Sequence, residues 1–269
     1  MLIDGRAIAR EITESLAHQT AQLATPPRLS VFVLSSDAAT QQFIGIKKKT
    51  AERVGVAVRI IELSPETSED TLKSRIREEI SASDGIIVQL PLPQHINVDA
   101  VFAAVPASHD VDALGVDAQA SARVLPPVVA ACAHILAAHG ISVRGANVSV
   151  VGKGRLVGSP AAAWALDQGA QVSVFAQGDD LAPLAQADIV ILGAGAPHLI
   201  KPNMIKDGVV ILDAGTSEAG GKVVGDADPA CEAKATLFTP VPGGIGPIAV
   251  AMIFVNLLKL VGVGVEGGE

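Results

Sequence analysis

Residues 149–160, SVVGKGRLVGSP, decide how the second half of the chain is read. An apolar, β-rich run ends at Gly152 and a helix-forming stretch opens at Gly158, so the three glycines occupy a strand-to-helix turn. In that setting Gly152 permits the tight turn, Gly154 lets the backbone approach a pyrophosphate, and Gly158 allows close helix–sheet packing. The phosphates would lie over the helix N-terminus, where free N–H groups and the macrodipole favour an anion. A tight turn without a ligand uses glycine in the same way, and the surrounding elements separate the two readings.

Outward from the turn, GSPAAAWALDQG reads as a helix and QVSVFA, ADIVILGAG and GVVILDAG as strands. PPVVAACAHILAAHG, upstream, opens on prolines and closes on a glycine as a helix should. The second half is therefore expected to be a doubly wound sheet that binds a dinucleotide. In the first half, residues 6–23 are helical in pattern, RLSVFVLSS and VAVRIIEL are strands, SEDTLKSRIREEISAS is a helix entered through serine and acids, and DGIIVQLPLP is a strand ending in prolines. With the helix between the first two strands, this β-α-β-α-β order predicts a second parallel sheet with right-handed crossovers, and a boundary near residues 115–126. The final run, VAMIFVNLLKLVGVGV, is interrupted by Asn256 and Lys259 and reads as a buried helix followed by a glycine-broken tail. Its periodicity does not say which half it packs on.

With 269 residues, 49% apolar and 18% charged, the chain has enough apolar material for two α/β cores, which excludes disorder. A net charge of −8 argues against a nucleic-acid partner. Cys132 and Cys231 fit no metal-ligand spacing and no disulfide framework, so no metal is expected and the cytoplasm is the default compartment. The N-terminus lacks a basic segment followed by an apolar run, and no uncharged stretch has transmembrane length, so no membrane association is expected.

TQQFIGIKKKT, residues 40–50, carries three consecutive lysines. On a helix, positions 43, 47, 50, 51 and 54 share a face, which puts Lys47 on an inward stripe with Phe43, Thr50, Ala51 and Val54. Lys48 and Lys49 point elsewhere. An inward ammonium must be solvated by a cleft, be paired or lose its proton, unless its stem simply snorkels to water. For the dinucleotide, the acid that NAD readers place about 20 residues on is missing at the strand end, where Ala176 and Gln177 stand. Asp179 and Asp180 come later, and Lys153 and Arg155 could meet a 2′-phosphate; the sequence leans towards NADP and leaves NAD open.

QFIGIKKKTAERVGV, DGIIVQLPLPQHIN, HDVDALG, VVGKGRLVGSP and TPVPGGIGPIAVAM, in this order and spacing, resemble the bifunctional methylenetetrahydrofolate dehydrogenase/cyclohydrolase family over nearly the whole chain. VQLPLP together with PVPGGIGP is the most specific part. The resemblance implies two three-layer α/β domains, the second a Rossmann-type doubly wound sheet, with a folate cleft between them. It implies a folate domain over residues 1–120 plus the C-terminal helix at about 247–269, and an NAD(P)-binding domain over 121–246. The activity implied is interconversion of 5,10-methylene-, 5,10-methenyl- and 10-formyltetrahydrofolate by NADP-linked hydride transfer and cyclohydrolysis, with tetrahydrofolate as the carrier and a homodimer as the assembly. Carried onto this sequence, the catalytic residues are Lys47, Gln89 and Asp112. Substrate contacts fall on Phe43, Val88, Leu90, Pro91, Pro242, Gly243, Gly244, Pro247 and Ile248. Cofactor contacts fall on Gly152, Lys153, Gly154, Arg155, Val157, Gly158, Gln177, Gly193 and Thr216. The strand QVSVFA is the expected dimer edge.

The chain departs from the family's pattern at several points. Phe43 replaces a tyrosine, HDVDA replaces KDVDG, and PPVV at 126–129 replaces PCTP. Lys153 and Gly154 replace an arginine and a serine, and Ala249 replaces a threonine. Ala113 matters if the turn needs positive φ. Most changes delete a hydroxyl or another donor, which leaves two alternatives open: a monofunctional cyclohydrolase that has lost the dehydrogenase step, and a non-catalytic folate- or nucleotide-binding paralogue.

Overall fold

A computed structural model of the chain describes residues 1–115 and 124–263. It comprises two compact units: Met1–Ala9 with Val128–Ala249, and Arg10–Pro127 with the segment from Val250. The expected boundary between residues 120 and 121, and the glycine-broken tail beyond residue 263, lie outside the described residues.

The lysine-bearing unit contains most of α1 (Gly5–Thr20), then β1 (Arg28–Val33), α2 (Ala38–Val54), β2 (Ala57–Glu62), α3 (Glu69–Glu79), β3 (Gly85–Val88) and the short α4 (Val98–Phe102). Its three strands are parallel in the order β2-β1-β3. Alternation along β1 builds two cores. Leu29, Val31 and Val33 pack with Leu16 of α1, Ile44, Ala51 and Val54 of α2, and Phe254 and Leu257 further along the chain. Phe32 and Leu34 turn the other way, to Leu72 and Ile76 of α3 and Val101 and Phe102 of α4. Helix α2 starts where the Asp37 carboxylate accepts the Thr40 N–H at 2.8 Å and stops at Gly55, which takes φ +80°.

The glycine-turn unit contains α5 (Pro127–Ala138) from its second residue, β4 (Asn147–Val151), α6 (Gly158–Asp167), β5 (Gln171–Phe175), β6 (Ile189–Leu192), β7 (Val210–Asp213), the hairpin β8 (Ser217–Ala219) and β9 (Lys222–Val224), and β10 (Leu237–Phe238). Its main sheet is parallel in the order β10-β7-β6-β4-β5. From β4 the chain winds one way to β5 and then back the other way through β6, β7 and β10. The C-terminal ends of β4 and β6 therefore flank a topological switch point, where open α/β sheets bind ligands. The last helix, α7 (Ile245–Leu260), belongs to the glycine-turn unit through Ala249 and to the lysine-bearing unit from Val250, where Phe254, Leu257 and Leu258 are fully buried.

The inward stripe of α2 differs from the sequence reading at two of its five positions, Phe43 and Thr50. Ile44, Lys47, Ala51 and Val54 are buried, whereas Phe43 is 49% exposed and Thr50 only partly covered. Phe43 and Ile44 are both apolar, so composition does not choose between them; β1 does, because its pleat accepts Ile44 into the apolar cluster.

Candidate active site and nucleotide turn

In the lysine-bearing unit three elements bring the predicted polar groups together. Lys47, on the buried face of α2, donates from Nζ to Gln89 Oε1 at 2.9 Å. Gln89 follows β3 and extends its ladder, its N–H donating to the Phe32 carbonyl at 2.9 Å. Its own Nε2 donates to the Leu90 carbonyl at 2.8 Å, which fixes the amide with its oxygen towards the amine. Burial lowers the Lys47 pKa, and the Asp112 carboxylate opposes that shift. Burial raises the Asp112 carboxyl, and Lys47 opposes it in turn. Each group is thus the other's charge partner in a site that penalises both charges, an arrangement suited to moving a proton.

Asp112 is held by contacts that sequence patterns do not announce. The preceding His109 carbonyl accepts the Ile86 N–H at 2.7 Å, and Ile86 pairs with Asp110 as a parallel bridge, so the HDVDA segment is stitched to β3. Asp110, almost fully buried, accepts the Gly115 N–H at 2.8 Å; burial pushes its carboxyl up to about 6, against the opposing effect of the turn amides. Asn256 of α7 donates from Nδ2 to the Val111 and Leu125 carbonyls, both at 2.8 Å. In sequence Asn256 is only a polar interruption of an apolar run; here it secures the residue next to Asp112. Ala113 takes φ +50°, the conformation the turn demands, where a glycine would be unstrained.

The other expected substrate contacts are distributed by exposure. Val88 and Ile248 are buried, Leu90 and Pro247 are partly covered, and Pro91 and Pro242 are exposed. The Leu90–Pro91 and Val241–Pro242 peptide bonds are cis. Gly243 takes φ +105°, and Gly244 lies so close to Gly5 that a Cβ on Gly5 would sit 1.8 Å from the Gly244 carbonyl oxygen.

In the glycine-turn unit the work falls to backbone. Gly152 takes φ +106°, and a Cβ there would stand 2.4 Å from the Gly193 carbonyl oxygen. A Cβ on Gly158 would stand 2.1 Å from the Gly152 carbonyl oxygen, and one on Gly193 would strike the Val157 side chain at 2.6 Å. Gly154 is different: nothing lies nearer than 4.0 Å to its missing Cβ. Three glycines and Val157 thus close the strand-to-helix turn, while Gly154 and Lys153 present exposed backbone beside the start of α6, a cradle that fits a pyrophosphate. Arg155 is partly covered; Gln177, after β5, and Thr216, after β7, are exposed. Both acids after β5 are used by turns: Asp179 accepts the Ala176 N–H at 2.7 Å and Asp180 the Ala182 N–H at 2.9 Å.

A switch-point glycine turn in one unit and a buried, carboxylate-coupled lysine in the other define a two-unit, nucleotide-binding α/β enzyme. The chain belongs to the tetrahydrofolate dehydrogenase/cyclohydrolase family: the family's catalytic domain matches residues 3–112 and its NAD(P)-binding domain residues 126–263. It is 35% identical to the bifunctional protein FolD of Aquifex aeolicus over 96% of this chain and 94% of that one. Its structure matches the bifunctional FolD dehydrogenase/cyclohydrolase of Campylobacter jejuni with a TM-score of 0.93 and 31% identity, covering 97% of this chain and 98% of that one. It also matches the Trypanosoma brucei enzyme, solved with NADP cofactor and an inhibitor, with a TM-score of 0.90 and 29% identity over 97% and 96% of the two chains.

Proposed function

We propose that this chain interconverts 5,10-methylenetetrahydrofolate, 5,10-methenyltetrahydrofolate and 10-formyltetrahydrofolate, with NADP as the redox partner and Lys47, Gln89 and Asp112 as its catalytic residues. The observation that carries this is the buried Lys47 amine, bonded to Gln89 and charge-coupled to Asp112, in a chain whose other unit closes a glycine turn at the sheet's switch point. The proposed folate domain spans residues 1–120 with the C-terminal helix and the proposed NAD(P) domain residues 121–246, although Met1–Ala9 and the last helix through Ala249 group with the glycine-turn unit.

In the first reaction the turn at Gly152–Gly158 would hold NADP, which would supply the acceptor for the hydride of the folate's methylene carbon. The protein's part is to hold two flat rings face to face, and no side-chain acid or base is required. In the second, water attacks the methenyl carbon and gives a proton to the Lys47 amine. The carbon–nitrogen bond to the ring then breaks, the carbon becomes the formyl carbonyl, and the ring nitrogen takes a proton from the Lys47 ammonium; one proton is released overall. Gln89 Oε1 keeps the amine in line through both transfers, and Asp112 binds the pterin's donors. Phe43 offers the folate an aromatic face without a phenol, and Val88, Leu90, Pro91, Pro242, Gly243, Gly244, Pro247 and Ile248 complete the substrate's surroundings.

NADP is favoured over NAD because the Asp179 and Asp180 carboxylates are engaged by turn amides, and Lys153 stands exposed at the turn. Tighter binding of NAD than of NADP in calorimetry would overturn this preference. Dimerisation through β5 follows from its place at the sheet edge, and a monomeric mass in light scattering would exclude it. The two free, buried thiols of Cys132 and Cys231 fit a reducing cytoplasm, and cell fractionation tests that assignment. Among the described residues no helix is long and apolar enough to cross a membrane.

The test is a paired assay: reduced-nicotinamide formation from 5,10-methylenetetrahydrofolate, and decay of methenyltetrahydrofolate absorbance. Both activities are expected. Methenyl decay alone would identify a monofunctional cyclohydrolase, and silence in both a binding paralogue.

A further inference from the structure

Two carboxylates of the glycine-turn unit have no part in the chemistry above, yet they are its most deeply buried acids: Asp226 is 0% and Asp213 2% exposed. Asp226 accepts three successive backbone N–H groups, those of Ala194 at 2.6 Å and Gly195 at 3.2 Å on Oδ2 and that of Ala196 at 2.7 Å on Oδ1. These residues form the loop that leaves β6. Its first residue, Gly193, is the one whose carbonyl crowds Gly152, so Asp226 holds the backbone against which the nucleotide turn closes.

Asp213, the last residue of β7, holds Asp226 in turn. Its Oδ1 accepts the Asp226 N–H at 3.3 Å and the Gly215 N–H at 2.9 Å, and its Oδ2 accepts the Ala227 N–H at 2.8 Å. The Asp213 N–H donates to Thr239 Oγ1 at 2.6 Å, and Thr239 is itself fully buried. There is no room for adjustment. A Cβ on Gly215 would lie 2.3 Å from Asp226 Cγ, and one on Gly225 would lie 2.2 Å from Asp213 Oδ2.

Among the described residues neither carboxylate has a cation as partner; amide dipoles alone offset the buried charge. The loop from Ala194 to Ala196 converges its N–H groups as an anion-binding loop would, but the anion is internal. A cofactor phosphate has no place there and is left to the turn at Gly152–Gly158.

We infer that Asp226, braced by Asp213, is a positioning residue for the dinucleotide: it fixes the loop after β6 that sets Gly193 against the glycine turn, while Asp213 fixes the loop after β7 that carries Thr216, without either touching cofactor or folate. The inference rests on the NADP-linked reading above. It predicts an effect on one of the enzyme's two reactions only, since Lys47, Gln89 and Asp112 lie in the other unit.

The experiment measures NADP binding by calorimetry, KM for NADP, and methenyl hydrolysis in the parent and in Asp226→Asn and Asp213→Asn, with folding checked by circular dichroism. An asparagine at 226 turns an amino group towards amides that need an acceptor, so the loop must shift. NADP Kd and KM are expected to rise at least about tenfold, the scale of one lost charge-assisted contact. Methenyl hydrolysis is expected to stay within about twofold. Asp213→Asn acts on the loop after β6 only through Asp226 and is expected to move the same constants in the same direction by about threefold; if Asp226→Asn does not fold, Asp213→Asn decides. Unchanged NADP binding in the folded variants, or a parallel fall of both activities, would overturn the inference. A parent protein that binds no NADP would overturn the underlying reading and the inference with it.

Discussion

Lys47 and Gly152 each sit beside a parallel strand of a buried sheet, but they hold their chemistry in opposite ways. Around Lys47 a few side chains are brought together from α2, the end of β3 and the segment bridged to Ile86, and the proposed chemistry uses one amine, one amide and one carboxylate. Around Gly152 the working surface is backbone, and the side chains that matter are those that are missing. The first kind of site depends on the chemical identity of its side chains. The second tolerates a change of residue only where a Cβ has space.

The sharpest way to press this contrast is Gly158→Val. Its Cβ would stand 2.1 Å from the Gly152 carbonyl oxygen, a backbone atom that cannot swing away. NADP-linked oxidation is expected to fall by about 100-fold or more, the scale of an ångström's misplacement, while methenyl hydrolysis persists. Equal loss of both would mean that the units do not divide the labour.

Asn256→Leu probes the scaffold of the lysine site. It strips the Val111 and Leu125 carbonyls of their donor, and unfolding should show a loss of roughly 2–4 kcal/mol. A drop below about 0.5 kcal/mol, the range of ordinary surface substitutions, would show that the clamp is dispensable.

The pH dependence of stability supplies a smaller effect. Asp110 has its carboxyl raised from 3.8 to about 6, chiefly by burial, so the folded state binds this proton more tightly than the unfolded chain does. That contribution is fully present below 3.8 and is lost as pH rises through about 6. Over this window the group lowers stability by up to about 1.4 kcal/mol per pH unit. Asp110→Asn should flatten the slope of chemical-denaturation stability against pH, leaving the same-signed contribution of Asp213, also raised to about 6. An unchanged slope would contradict the burial argument.

The smallest effect belongs to Ala113→Gly, which should relieve the positive φ of +50° and stabilise the turn by up to about 1 kcal/mol, offset by the loss of a buried methyl. A shift of the thermal midpoint downwards would show that the methyl matters more than the strain.

How much of this was legible in the sequence follows the same division. The order of strands and helices, and the turn at Gly152, could be read because parallel β-α-β units need apolar strands, capped helices and glycines at fixed places. Lys47 could be read because an ammonium on a helical stripe is conspicuous; the same stripe predicts Phe43 on the buried face that Ile44 occupies. The antiparallel hairpin β8–β9 went unread, although Gly220 and Gly221, with φ of +59° and +72°, are the turn residues such hairpins require. Asp110 and Asp226 look like ordinary loop acids, Asp213 like the polar end of a strand, and Asn256 like a break in an apolar run. Their roles depend on N–H and carbonyl groups up to 145 residues away, which no local pattern carries.

The central claim is that the Lys47 amine serves cyclohydrolysis while hydride transfer is served by backbone and ring placement elsewhere. Lys47→Met, assayed for both reactions in one preparation, tests it most directly. The expected result is a loss of methenyl hydrolysis of about 100-fold or more, with folate binding and NADP-linked oxidation largely kept. Hydrolysis of methenyltetrahydrofolate at the parent rate would contradict the account.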